Sequence, residues 1–140
     1  AYLLGTALNS LLLKYFSLTQ LMGAGLILML LGSVGFLISG LLAWFTVWSV
    51  TFWSAFVIFG TGWVWPNAFA KALGIFSENL GRVTAMIGAM GLVGTSLLSV
   101  LVGYCHIESE NPLAIVFLLM TLCAMGLMFL IKKVNNYLAP

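Results

Sequence analysis

The sequence predicts an all-α integral membrane protein with four complete transmembrane helices and one partial one. Three observations lead there. Of 140 residues, 63% are hydrophobic and 6% are charged, whereas an ordinary soluble domain is about 25% charged. Positions 15–70, 56 in all, carry no Asp, Glu, Lys or Arg. The few charges that remain sort by sign onto opposite sides once the crossings are counted. Five bases and three acids cannot cover a water-exposed surface, so most of the outer surface must face lipid.

The first segment, 1–13, is apolar, but as a helix it is only about 20 Å long, short of the roughly 30 Å hydrocarbon core. No basic region precedes it and no small-residue cleavage pattern follows, which argues against a signal peptide. We expect it to be the end of a longer helix and the chain to be a fragment. Residues 14–17 then form a short loop around Lys14. One crossing takes about 20 residues, so the charge-free stretch holds two spans, 18–38 and 42–64. Ser39-Gly40 is the expected break, because glycine tolerates turn geometry. Segment 65–82 is read as a helix end and polar loop with Ser77, Glu78, Asn79, Gly81 and Arg82. A third span follows at 83–104 and a polar loop at 105–112. Pro112 suits the first turn of the next helix, the fourth span covers 113–131, and 132–140 forms the tail.

Under this count Lys14, Lys71, Arg82, Lys132 and Lys133 share one side and Glu108 and Glu110 the other. Basic loops are retained in the cytoplasm. The expectation is therefore a multi-pass protein of the inner (plasma) membrane with a cytoplasmic C-terminus. The small, unclustered positive charge does not suit nucleic-acid binding. One His and two Cys offer no metal-ligand spacing and no disulfide framework. Cys123 is expected to be packed and Cys105 free near a membrane surface. No phosphate-binding loop, nucleophile elbow, zinc-protease motif or intramembrane carboxylate pair is present, so neither an enzyme nor a cofactor is expected. Glu108 and Glu110 read as a solvated loop, and Glu78 and Arg82, at i and i+4, as a local pair.

The second span is the most distinctive. Trp44, Trp48, Trp53, Trp63 and Trp65 fall within 22 residues. Trp44, Trp63 and Trp65 fit aromatic belts at the two interfaces. Trp48, Phe52, Phe56, Phe59 and Trp63 recur at helical spacing, so they share a face. That face is either a lipid-facing or packing stripe, or the aromatic wall of a cavity for flat or cationic ligands. Ser49, Thr51, Ser54 and Thr61 make this span the most polar, although intramembrane hydroxyls often bond to their own preceding turn. In the third span Thr84, Gly88, Gly91, Thr95, Ser99 and Gly103 form a small-residue seam suited to close helix packing. The fourth span, rich in Leu, Met and Phe, reads as peripheral. The first resembles it except for Gly23, Gly25, Gly32 and Gly35. Apart from Cys123, no ionisable residue lies at mid-membrane depth, so no ion-coupling site is visible.

From Gly60 to Gly103 the residues Gly60, Gly62, Pro66-Asn67, Ala70, Ala72-Leu73, Phe76, Gly81, Thr84-Ala85 and Gly88 stand in a spacing that resembles helices ten and eleven of major facilitator superfamily drug:proton antiporters of the bicyclomycin-resistance type. Ser96, Val100 and Val102-Gly103 are similar to the end of the eleventh helix. More loosely, Gly5, Leu8 and Lys14-Tyr15 resemble the end of the eighth helix and its basic loop. Arg82, Val83 and Met90 depart from the family pattern, which leaves drug specificity open. The resemblance implies the C-terminal portion of a twelve-helix major facilitator fold. It also implies a cavity lined by Trp53, Phe56, Gly60, Met90 and Thr95, and bending of the tenth helix at Gly60, Gly62 and Pro66. Gly88, Gly91, Ser99 and Gly103 would pack helices. The partners implied are the lipid bilayer, an N-terminal half carrying the proton-coupling acid, a small-molecule substrate and protons. The function expected is proton-coupled efflux of small amphipathic compounds. The alternatives are uptake of a nutrient, metabolite or siderophore by the same superfamily, or a small four-helix assembly subunit; a membrane-embedded enzyme would need residues outside this segment.

Overall fold

A computed structural model describes residues 1–42, 46–76, 79–104 and 111–138. Trp44, Ser77, Glu78, Cys105, His106, Glu108 and Glu110 lie outside them. The described chain is five helices: α1 (Tyr2–Leu12), α2 (Leu18–Leu41), α3 (Val47–Ile75), α4 (Leu80–Tyr104) and α5 (Asn111–Leu138). Four of them contain stretches long and apolar enough to cross a membrane: Leu18–Leu41, Val47–Ile75, Leu80–Val100 and Ala114–Lys133.

Local chemistry sets the starts. Ser17 caps α2: its hydroxyl accepts from the Gln20 N–H at 3.3 Å, and the Gln20 side chain accepts the Ser17 N–H at 3.0 Å. Thr46 and Ser49 repeat this reciprocal box at the start of α3. Pro112 falls in the first turn of α5, where a missing N–H costs no helical bond. The expected break at Ser39-Gly40 is not there. Both residues are helical and Gly40 is buried, because the turn is set later, by the Thr46 cap. The helix α3 runs on through Pro66 to Ile75, so the helix end expected in segment 65–82 takes up its first eleven residues.

The helices form a row, α1 against α3, α3 against α2 and α2 against α5, with α4 touching α3 only sparsely. Glycine places α3 at the centre of three of them. Gly60 and Gly62 are two residues apart, about 200° around a helix, and face opposite ways. A Cβ on Gly60 would lie 2.6 Å from the Gly25 carbonyl oxygen of α2. One on Gly62 would lie 3.1 Å from the Tyr2 carbonyl oxygen of α1. Gly25 and Gly32 of α2 are equally tight, 2.9 Å from the Gly60 oxygen and 2.8 Å from Val57 Cγ2. The core is Leu21, Leu26, Phe36, Val57 and Ala114. Phe36 of α2 meets Phe117 of α5 with ring centroids 6.4 Å apart.

This corrects one reading of the sequence. α2 is not a peripheral counterpart of α5; it holds the largest buried share of the four spans, because its glycines admit the α3 backbone. Cys123 is also not packed but exposed on α5. By contrast, no residue of Leu80–Val100 is buried.

Ser33 and Thr121 meet at the α2–α5 contact, both fully buried, with oxygens 3.5 Å apart. Each has already donated its single proton to its own helix, Ser33 to the Met29 carbonyl and Thr121 to the Phe117 carbonyl, both at 2.8 Å. The contact between them is therefore chiefly van der Waals. Ser33→Ala should change thermal stability by less than about 0.5 kcal/mol, whereas Ser33→Leu, overfilling a closed site, should cost about 2 kcal/mol. Calorimetry in detergent distinguishes the two; a large loss with alanine would mean that the interhelical bond carries the contact.

Candidate functional site

Since α2 and α3 run antiparallel, they leave a cavity at each end of their shared seam. The first, about 760 Å³, lies between the end of α2 and the start of α3. Its walls are aromatic (Trp48, Phe52, Trp53) and hydroxylic (Ser39, Ser49, Thr51), with Gly35 and Ile38 behind. The rings form one cluster: Phe52 meets Trp53 edge-on at 5.2 Å, and Phe56 completes it at 5.2 and 6.1 Å from the other two. The indole of Trp53 lies directly on Gly35, where any Cβ would collide with it. Glycine at 35 therefore sets where this ring rests.

The hydroxyls are not idle donors. Thr51 donates to the Val47 carbonyl at 2.7 Å, Ser39 to Gly35 at 2.9 Å and Ser49 to Thr46 at 2.9 Å. The Ser49 oxygen also accepts the Thr46 N–H; what the Thr51 and Ser39 oxygens still offer is lone pairs. Together with the ring faces, they suit a ligand that donates hydrogen bonds or carries positive charge.

Of the five residues that the resemblance assigns to a cavity, Trp53 lines this one and Phe56 supports it from behind. Gly60 is closed into the α2–α3 contact. Met90 and Thr95 are exposed on α4 and line neither cavity; Thr95 donates to the Gly91 carbonyl of its own helix at 2.9 Å. Gly88 and Gly103 face open space, Ser99 is exposed, and a Cβ added at Gly91 would stand 3.9 Å from the Trp65 ring. The α4 seam thus has no packing partner among the described residues. The aromatic stripe divides into the Phe52–Trp53–Phe56 cluster and a separate Phe59–Trp63 pair at 5.6 Å. The buried Trp63 indole N–H has no hydrogen-bond partner among the described residues.

One polar feature had not been singled out. Asn9 of α1 and Asn67 of α3, 3% and 1% exposed, exchange side-chain hydrogen bonds. Asn67 donates to Asn9 at 2.7 Å and accepts from it at 3.3 Å, while also donating to the Trp63 carbonyl at 2.7 Å. The available signal was the presence of two carboxamides in apolar helices, each needing a partner out of water.

The second cavity, about 530 Å³, lies at the other end, between α2, α3 and α5. Lys71 and Lys132 stand at its edge, and Lys71 donates to the Thr19 hydroxyl at 3.4 Å. That the two lysines border one cavity agrees with their shared side in the count of crossings.

Comparison with protein families, curated proteins and solved structures gives no match. The described residues define a class, an all-helical protein with four apolar helices suited to a membrane.

Proposed function

We propose that the chain is the C-terminal part of a twelve-helix secondary transporter that exports small amphipathic compounds by alternating access. The observation that carries this reading is the aromatic and hydroxylic cavity between α2 and α3. At about 760 Å³ it falls within the range that holds drug-sized ligands. Its clustered ring faces and acceptor oxygens favour flat or cationic substrates. Further support comes from α3, which carries Gly60, Gly62 and Pro66 within two turns; Pro66 has no N–H for the Gly62 carbonyl, which leaves a point where the helix can bend. On this reading the two halves of the transporter rock against each other, and the proton-carrying acid and the helices that cover α4 belong to the other half. The basic end is cytoplasmic, by the excess of Lys and Arg there. Uptake of a nutrient, metabolite or siderophore would use the same walls.

Trp53→Ala in the complete transporter should lower efflux of aromatic cations roughly tenfold, since it removes ring contact worth about 1–2 kcal/mol. Efflux of several substrates by whole cells is the readout. Unchanged transport of all of them would reject the cavity.

A second reading rests on α4. Its exposed Gly88 and Gly103 and half-buried Gly91 suit close approach of another helix, and a second copy of the chain could supply it. A self-contained assembly subunit would then crosslink through Gly88→Cys as a homodimer. A transporter segment would not.

A further inference from the structure

We propose that the groove at the basic end is a binding site for an anionic phospholipid, with its phosphate between Lys71 and Lys132 and one acyl chain lying along the groove. The charge comes first. Lys71 is half-buried and its ammonium has one hydrogen-bond partner, the Thr19 hydroxyl at 3.4 Å. An ammonium carries three donors, so at least one more acceptor is needed. An anion beside a cation held partly out of water stabilises it, and a phosphate oxygen supplies both the charge and the acceptors. Anionic lipid headgroups are recognised by basic pockets of this kind between membrane helices.

The rest of the groove is built for a hydrocarbon chain. Below the lysines it is lined by Leu26, Val64, Ala124, Leu127 and Met128, with the small side chains of Ala68 and Ala72 leaving room at its floor. It extends along α2 from Thr19 to Leu26, along α3 from Val64 to Ile75 and along α5 from Ala124 to Lys132, about 10, 16 and 12 Å at 1.5 Å per residue. One leaflet of the hydrocarbon core is about 15 Å deep. A chain anchored by its phosphate at the lysines would reach down the groove to roughly the middle of the bilayer. A free inorganic anion would use the lysines and leave this apolar length empty. The site depends on the basic end lying at one membrane surface and not on what the aromatic cavity transports.

The test uses the full chain purified in detergent, with retained lipid counted by native mass spectrometry. The probes are phosphatidylglycerol and phosphatidylcholine of the same chains. Phosphatidylglycerol should be retained more strongly. Its affinity should fall about fivefold for Lys132→Gln and roughly thirtyfold for Lys71→Gln/Lys132→Gln, as expected for about 1 kcal/mol per lysine near an anionic surface. Lys132 is exposed, so its single variant reports even if removing Lys71 disturbs folding. Ala124→Phe, which fills the groove and leaves the charge unchanged, should lower retention of phosphatidylglycerol as well. Lys133→Gln removes a charge of the same sign outside the groove and should have little effect. Equal retention of the two lipids, equal losses for Lys132→Gln and Lys133→Gln, or full retention in Ala124→Phe would overturn the site. So would competition by inorganic phosphate as effective as that by phosphatidylglycerol, because the site would then be one for a free anion.

Discussion

Gly60→Ala is expected to destabilise the bundle by about 2 kcal/mol, although alanine favours a helix by roughly 1 kcal/mol over glycine. The added methyl group would stand 2.6 Å from the Gly25 carbonyl oxygen, 2.7 Å from Met29 Cγ and 3.1 Å from the Met29 nitrogen. The methionine side chain can swing away, but the two backbone atoms can move only if α2 and α3 separate. Helices in a bilayer gain little from hiding apolar surface, since lipid is as apolar as leucine; close van der Waals contact is what holds them. Separation by even a fraction of an ångström therefore removes much of the attraction along the whole seam. Gly74, near the end of the same helix with open space around it, is the matched control. Gly74→Ala should stabilise by up to about 1 kcal/mol through propensity alone. Thermal unfolding followed by circular dichroism should thus show shifts of opposite sign. Shifts of the same sign would mean that the α2–α3 crossing is not closed by glycine.

Asn67→Leu should cost about 2 kcal/mol, and the added change Asn9→Leu should recover part of that loss. Membrane-embedded polar contacts average only about 0.6 kcal/mol in net worth, which would predict a small effect. The asymmetry of hydrogen bonding decides otherwise. Removing Asn67 strands the carboxamide of Asn9, which is 3% exposed, and an orphaned buried polar group costs its full desolvation, about 1–3 kcal/mol. Replacing both residues removes the orphan together with the bond. A double-mutant cycle in thermal unfolding reads this directly. Strictly additive losses would show that the two amides do not depend on each other.

The number of apolar helices could be read from the sequence, because bilayer thickness acts on residue type alone. The Thr46 cap was legible in principle, as a hydroxyl residue with Ser49 three positions later, but the Ser39-Gly40 pair gave a stronger turn signal. Gly40 is helical and buried, which local propensity does not report. The same limit explains the glycines. Gly25, Gly32 and Gly35 look no different in sequence from Gly88, Gly91 and Gly103, yet the first set is filled by α3 and the second meets almost nothing. Whether a small residue makes a contact depends on what stands opposite. The aromatic stripe read from helical spacing does not include Trp53; only the resemblance places that residue at a cavity. The Asn9–Asn67 pair bridges 58 positions, and no local pattern joins them.

The placement of the indoles has a practical consequence for watching this protein come apart. All five tryptophans fall between residues 44 and 65, and four of them belong to α3. Intrinsic fluorescence therefore follows the surroundings of that one rod and is almost silent about α5. The emission of Trp48, Trp53 and Trp63 would register the loss of α1 or α2 from its flanks. Along α4, the neighbourhood of Gly91, where an added Cβ would stand 3.9 Å from the ring of Trp65, is in view.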